Sequence, residues 1–301
     1  SGFLICSRLV EERHVVGRVR LGAFYIRRAF RILPPMLAYL LVLLALHREV
    51  PVGRIEFLSA LTFWRNYLPA WTMAYGQGWY TNHYWSLAVE EHYYMLWPCC
   101  LILLPYRKLP WIAGGVALVV AVARHVVLNR PWLWPAGQQE YFHTELRLDG
   151  LLLGAMLALL VDLPEWRTRL SVWTRPAVWW GVALMLVGSI VAAVGQDGRC
   201  LLLGCLVLGT VLHPATWVGR LLESNALRWI GRLSYSLYLW QQLFMKPVAM
   251  PAALPVPLQT LPINFCAALL CAWLSYRFLE RPLIRLGHRL SQPVSEGRGD
   301  L

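Results

Sequence analysis

WSLAVEEHYYMLWPCCLILL, residues 85–104, is a largely apolar run that carries two adjacent carboxylates, Glu90 and Glu91. A helix of about 20 such residues crosses the hydrocarbon core of a membrane. On that helix Glu90 shares a face with Ser86 and Tyr93, whereas Glu91 points about 100° away. We therefore expect Glu90 to face a cavity and Glu91 to need a separate partner.

The composition is that of a membrane protein. Of the 301 residues, 58% are hydrophobic and 15% are charged, and the mean hydropathy is +0.48. A soluble domain carries about a quarter charged residues. The formal charge of +12 comes mostly from arginines between apolar runs, without the basic stripe that nucleic-acid binding needs. We expect an all-α, polytopic membrane bundle in contact with lipid, with no nucleic-acid partner.

Eight apolar runs are long enough, or nearly long enough, to span a membrane: 32–47, 84–104, 111–128, 146–162, 176–194, 199–213, 229–248 and 259–279. Every second connection is basic, which predicts that both ends are cytoplasmic. This topology requires that 55–68 be interfacial or re-entrant and not cross. Aromatic residues around the outer connection are expected at the headgroup layer: Trp64, Tyr67, Trp71, Trp79, Tyr80 and Trp85.

Ionisable residues at membrane depth are functional candidates. Burial raises the pKa of a carboxylate, which suits Glu90 as a general base or proton carrier; an ion pair that locks two helices is the alternative. Arg147 and Asp149 enter the fourth span two residues apart, so each must find a contact elsewhere. His143 shares a helical face with Arg147, although a lone histidine at an interface is more often a solvated or capping residue than a catalytic one.

Three arginines, Arg27, Arg28 and Arg31, precede the first complete span. Arg28 and Arg31 are one helical turn apart and could clamp a phosphate through their fork-shaped donors. Anchoring to anionic lipid is the alternative. The sequence contains none of the HExxH, CxxC, GxSxG, Walker or Rossmann patterns, so we expect no metal site.

Seven stretches together resemble the acyltransferase-3 family of integral membrane acyltransferases. They run in family order over nearly the whole chain: SGFLI at 1–5, FYIRRAFRILPP at 24–35, LTFWRNY at 61–67, WSLAVEEHYYMLWP at 85–98, LRLDGLLLGAMLA at 146–158, WIGRLSYSLYLW at 229–240 and LSYRFLERPL at 274–283. The resemblance implies a ten-span domain that moves an acyl group, commonly acetyl, from cytoplasmic acyl-CoA to a hydroxyl of a surface glycan or lipid-linked sugar. It also implies a location in the bacterial cytoplasmic membrane.

The resemblance assigns residues as well. Arg28 and Arg31 match the family's Arg-x-x-Arg, implying contact with CoA; Glu90 matches the Glu after Trp-Ser-Leu; Arg147 and Asp149 match the Arg and Asp before the Leu-Gly run. The family's first span carries a histidine taken as the base, and this sequence starts after it, so we expect an N-terminally truncated sequence. Gln241 stands where the family usually has His.

We therefore expect an acyltransferase-3 membrane domain at 1–286, without its first span, and a polar cytoplasmic tail at 287–301. Two other functions remain open. Buried acids and arginines also suit a transporter or proton-coupled carrier, although the broken helices of repeated halves are absent from the sequence pattern. A non-catalytic homologue would fit the missing histidine and Gln241.

Overall fold

The computed structural model describes residues 1–50, 52–68, 76–129, 142–191, 196–246 and 254–292, which are helical and contain no strand. Their α-helices are α1 (Gly2–Val16), α2 (Leu21–Ala45), α3 (Arg54–Leu61), α4 (Tyr84–Leu103), α5 (Leu109–Asn129), α6 (Asp149–Asp162), α7 (Pro164–Trp173), α8 (Pro176–Val191), α9 (Gln196–Leu212), α10 (Trp217–Leu222), α11 (Asn225–Phe244), α12 (Ile263–Leu274) and α13 (Arg281–Leu290). Short 3₁₀ helices cover Arg65–Tyr67, Gly76–Thr81, Thr144–Leu146 and Val256–Gln259, and a π-helix covers Ser275–Glu280.

Two helices are long and apolar enough to cross a membrane by themselves, judged over the described ranges: α2 and the Leu109–Val127 part of α5. A third crossing is possible if Pro164–Trp173 and Val178–Ser189, which meet at 69°, form one broken span. The all-helical class is confirmed, whereas the count of eight spans stays a prediction. α3, in the segment predicted not to cross, has only 8 residues, which is too short to span the hydrocarbon as a helix.

The chain divides into two compact units. The first unit comprises Ser1–Val19 and Ser86–Trp229. Within it α6 packs against both α1 and α5, and α8 packs against α9. The contact between α1 and α6 is close because it is made through glycines: a Cβ added to Gly154 would lie 2.7 Å from the backbone nitrogen of Phe3. Small residues allow such close approach of helices in membranes.

The second unit comprises Arg20–Trp85 and Ile230–Leu301, and α2 packs there against α13 and the π-helix. α2 contains Pro34 and Pro35, which lack the amide donors that a helix needs. α2 nevertheless continues through both prolines, and two tyrosines donate to carbonyls near them, Tyr235 to Ile32 at 3.0 Å and Tyr84 to Met36 at 3.2 Å. These hydrogen bonds tie α2 to Tyr84 and to Tyr235 of α11 within the second unit.

The predicted polar tail from 287 is helical as far as Leu290. Residues 293–301 lie outside the described residues.

Candidate functional site

Glu90 lies on α4, in the first unit, with hydroxyl donors at both carboxylate oxygens. Its Oε1 accepts a hydrogen bond from Ser1 Oγ at 2.6 Å, and its Oε2 accepts one from Tyr94 at 2.9 Å. Glu90 is half-buried, whereas Glu91 is only 9% exposed. The two acids therefore differ in environment, as the helical geometry predicted, and Glu90 is the one that water reaches more easily.

Asp149 forms a buried ion pair with Arg124. The guanidinium donates to both carboxylate oxygens at 2.8 Å and to the Leu146 carbonyl at 2.8 Å. The side chains are 3% and 10% exposed for Arg124 and Asp149, respectively. Asp149 thus finds its contact on another helix, as expected, and the lock between helices considered for Glu90 is observed here, between α5 and α6.

Sequence reasoning overlooked Arg124, although a signal was available. It lies inside the predicted span 111–128, and an arginine within an apolar span requires a partner. Asp149, in the first turn of α6, also has the negative charge that a helix N-terminus favours.

The structure of the segment before α6 contradicts the expectation that His143 and Arg147 share a helical face. His143 has extended backbone geometry and the α-helix begins only at Asp149, so His143 and Arg147 do not share an α-helical face. His143 Nδ1 lies 3.3 Å from Glu145 Oε1, and Arg147 is half-buried. This segment contacts α4 through His92, whose Nδ1 lies 2.6 Å from the Thr144 hydroxyl. His92 was not among the predicted residues.

The three predicted phosphate-binding arginines lie on α2, in the second unit. Arg27 and Arg28 are half-buried and Arg31 is exposed. The helix is continuous through them, so Arg28 and Arg31 are one turn apart as predicted.

Glu280 ends the π-helix in the same unit and is 2% exposed. It accepts hydrogen bonds from Ser236 and from Ser275. Burial raises the pKa of Glu280 to about 7, while the Ser275 hydrogen bond and the positive charge of Arg31 oppose that rise. Glu280 thus lies within electrostatic range of the predicted phosphate site and was not singled out from the sequence.

Arg65 is the largest fully buried side chain of the second unit, with 0% exposure. Its Nε donates to Thr81 at 3.2 Å and one terminal nitrogen donates to the Gly78 carbonyl at 3.1 Å. Arg65 therefore fixes the 3₁₀ helix Gly76–Thr81. Tyr80, on that helix, is 0% exposed, so it packs inside the protein and not against lipid, while its predicted depth at the headgroup layer stays a prediction. Trp64 and Tyr67 are exposed, as that prediction required, and Trp71 lies outside the described residues.

A polar cluster joins α1 to the end of α6 in the first unit. Asp162 accepts a hydrogen bond from Tyr106 at 2.6 Å and contacts His14 Nε2 at 2.9 Å. Arg13 lies over the Tyr106 ring, 4.7 Å from its centroid. Burial, and the hydrogen bond that it donates to Asp162, raise the pKa of Tyr106, which therefore stays protonated at neutral pH.

Two pockets are formed by described residues away from these groups. One, of about 200 Å³, lies beside Trp179, Trp180 and Trp217. The other, of about 310 Å³, lies between the end of α2 and α3. Neither contains a predicted site residue.

Comparison with known proteins gives a family match. A family model of the acyltransferase-3 type, described as an acyltransferase domain, matches residues 1–277. The chain is 27% identical, over 95% of its length, to a protein of Staphylococcus aureus strain COL named "Putative O-acetyltransferase SACOL0978". It is 25% identical, over 96% of its length, to the O-acetyltransferase OatA of S. aureus strain NCTC 8325.

These alignments cover 51% and 52% of the two relatives, so the chain spans about half the length of the curated relatives it matches. No solved structure matches the chain.

Proposed function

Since the chain belongs to the acyltransferase-3 family, a family of acyltransferase enzymes, we propose that it is an integral membrane O-acyltransferase. It moves an acyl group, acetyl in the simplest case, from cytoplasmic acyl-CoA to a hydroxyl of a cell-surface polysaccharide or lipid-linked sugar. The observation that carries this proposal is the family match over residues 1–277, supported by relatives named O-acetyltransferases. Acyl-CoA is the cosubstrate, and the chemistry needs no metal.

The proposed setting is the bacterial cytoplasmic membrane, with eight crossings and both ends in the cytoplasm. Two apolar helices, α2 and α5, support a membrane location. The alternation of basic and uncharged connections supports the orientation. The donor and the acceptor then approach the protein from opposite sides of the membrane.

Arg28 and Arg31 bind phosphates of CoA in this proposal, with Arg27 beside them. Their spacing of one turn presents two guanidinium groups to the same ligand, and guanidinium groups match phosphate geometry with paired hydrogen bonds. Arg31 is exposed, so a ligand can reach it from solvent.

In the transfer step, the acceptor oxygen attacks the thioester carbonyl carbon, a C–O bond forms and the C–S bond breaks. The hydroxyl proton passes to a base and then to the departing CoA thiolate. A hydroxyl needs such a base because its pKa lies far above neutrality. Glu90 carries the proton, or orients the first-span histidine that the family resemblance assigns as base.

Arg147 and His143 shape the acceptor side in this proposal. Asp149 takes part as a positioning residue, since its bidentate pair with Arg124 fixes the start of α6, two residues after Arg147.

The test is transfer of labelled acetyl from acetyl-CoA in vesicles that contain the full-length protein. We expect Arg28→Ala to raise the KM for acetyl-CoA about tenfold, the effect of losing one charge-assisted hydrogen bond. Glu90→Gln should lower kcat about a hundredfold or more, as loss of a proton-transfer group does.

Exposed residues of α1 supply the controls, because Arg8 and Glu11 pair with each other at 3.1 Å on the surface and with no other of the described residues. Arg8→Ala and Glu11→Gln should change neither constant. Solute uptake or proton flux that requires no CoA would contradict the transferase and support a carrier.

A further inference from the structure

The cavity between the end of α2 and α3, in the second unit, has a volume of about 310 Å³. Residues from both helices and from their connection line it, among them Leu44, His47, Arg54, Phe57 and Leu58. All of these except Phe57 have exposed side chains, so the cavity is open to its surroundings. Small-molecule sites have volumes of about 300 to 1,000 Å³, and this cavity is at the lower end of that range.

The cavity lies where a membrane crossing ends. α2 is long and apolar enough to cross a membrane by itself, and it ends at Ala45. α3 has 8 residues and is too short to cross. In a membrane that α2 crosses, the cavity is therefore at the boundary between hydrocarbon and headgroups, which is the depth of lipid phosphates.

Two basic side chains, Arg54 and His47, line this cavity. Among the described residues Arg54 forms no hydrogen bond and no ion pair. The acid of α3, Glu56, does not neutralise it, because Glu56 is buried and within electrostatic range of Arg65. The Arg54 guanidinium therefore keeps its positive charge and its donors for a ligand.

An exposed apolar surface leads to the cavity along α2. Its leucines follow one another at intervals of three or four residues, so they share one face of the helix. This leucine ridge consists of Leu33, Leu37, Leu41 and Leu44, all exposed. It ends at the cavity, because Leu44 is a lining residue, and Leu58 of α3 extends the apolar surface there. Exposed apolar surface of this kind marks contact with a membrane or a partner.

The orientation of the chain does not explain Arg54. In the predicted topology this end of α2 faces outward, whereas the positive-inside rule concentrates arginines on the cytoplasmic side. The cavity is also separate from the predicted phosphate-binding arginines. At about 1.5 Å per helical residue, Leu44 lies about 20 Å along α2 from Arg31.

We propose that this cavity binds a membrane phospholipid, with the lipid phosphate at Arg54 and one acyl chain along the leucine ridge. A guanidinium matches a phosphate through paired, charge-assisted hydrogen bonds. Basic pockets beside membrane helices recognise lipid headgroups in this way. The lipid contacts both α2 and α3 and so holds the short helix at the end of the crossing. It is not a reactant, so the proposal goes beyond the proposed function.

The test is native mass spectrometry of the full-length protein in detergent, titrated with three probes. Dioleoylphosphatidylglycerol has phosphate and acyl chains, dioleoylglycerol lacks the phosphate, and glycerol 3-phosphate lacks the chains. We expect the phospholipid to bind, dioleoylglycerol to bind about tenfold more weakly, and glycerol 3-phosphate not to bind. Arg54→Gln should weaken phospholipid binding about tenfold, the effect of losing one charge-assisted hydrogen bond, and leave dioleoylglycerol binding unchanged.

Matched controls change the same residue types elsewhere in the second unit. Arg48 is an exposed arginine of the same connection that does not line the cavity, so Arg48→Gln should bind the phospholipid as the unchanged protein does. Leu58→Ser should weaken the binding of both lipids. Leu270→Ser on α12 should weaken neither, although Leu58 and Leu270 are 53% and 55% exposed.

Three results would overturn the proposal. Equal losses in Arg54→Gln and Arg48→Gln would indicate general charge attraction, and equal binding of dioleoylglycerol would mean that the phosphate is not recognised. Binding of glycerol 3-phosphate as tight as that of the phospholipid would indicate a site for free phosphate.

Circular dichroism and thermal unfolding check that each variant folds. Arg54→Lys keeps the charge but loses the paired donors, and it should show a smaller loss of phospholipid binding than Arg54→Gln. It replaces Arg54→Gln in the test if that variant does not fold, and unchanged binding by it would then overturn the proposal. The titrations contain no acyl-CoA, so their result does not depend on acyl transfer.

Discussion

The pair of Arg124 and Asp149 places two charges where water hardly reaches them. Moving charges out of water is costly, and the mutual attraction repays that cost only when the geometry is good and the remaining polar atoms are satisfied. Both conditions hold here, because the contact is bidentate and Arg124 also binds the Leu146 carbonyl. Removal of one partner would leave the other charge buried and unpaired.

We therefore predict that Arg124→Ala lowers the free energy of unfolding by about 3 to 5 kcal/mol. Thermal unfolding in detergent measures the change. Arg8→Ala removes an arginine from a pair that is 72% and 62% exposed and should cost under about 1 kcal/mol. The double variant Arg124→Leu/Asp149→Leu should recover much of the lost unfolding free energy. Equal losses of stability in Arg124→Ala and Arg8→Ala would contradict a stabilising role for the buried pair.

At the scale of helices, the apolar runs of the sequence predicted where the helices lie better than where they begin and end. The run 84–104 corresponds closely to α4. The fourth span was expected from 146, but α6 begins at Asp149, and Arg124 binds both the Leu146 carbonyl and the Asp149 carboxylate at that point. That partner comes from another helix, so periodicity within 141–160 could not reveal it. The face predicted to be shared by His143 and Arg147 is not observed, because the α-helix begins after both residues.

Gly154 allows a prediction at this scale. Gly154→Ala should lower the unfolding temperature, because the added methyl group meets the backbone of α1 and overpacking costs about 1 to 3 kcal/mol. Gly115→Ala is the matched control on α5, where a Cβ meets nothing within 4 Å. It should leave stability unchanged or raise it by about 0.5 to 1 kcal/mol, since alanine favours helices over glycine. A fall of equal size in both variants would contradict the close contact.

At the scale of the molecule, composition alone predicted a membrane helical protein, and the motifs predicted its family. The division into two units could not be predicted, because each unit combines segments that are far apart in sequence. The predicted phosphate-binding arginines belong to the second unit, and Glu90, Arg147 and Asp149 belong to the first. The buried tyrosine at position 80 was also missed, because an aromatic residue in an uncharged connection suits a headgroup layer and a protein interior equally well.

The orientation of the chain gives a prediction for the whole molecule. In a variant whose seven cysteines are replaced, a single cysteine is introduced at Arg107 or at Thr260, both exposed and in connections predicted to face opposite sides. A membrane-impermeant maleimide added to right-side-out vesicles should label Thr260→Cys at once and Arg107→Cys only after permeabilisation. The reverse labelling pattern would show that the topology is the inverse of the predicted one. Labelling of both variants in intact vesicles would reject the predicted topology.

The composition of the second unit also affects biosynthesis. α2 (Leu21–Ala45) is translated well before α13 (Arg281–Leu290), against which it packs. At about 5 to 20 residues per second, the delay between the two parts of this unit is on the order of ten seconds. During that interval α2, which contains Pro34 and Pro35, lacks the hydrogen bond that Tyr235 donates to Ile32, because Tyr235 has not yet been made. A nascent chain halted before α11 would therefore present α2 without the hydrogen bond from Tyr235 and without its packing partner α13.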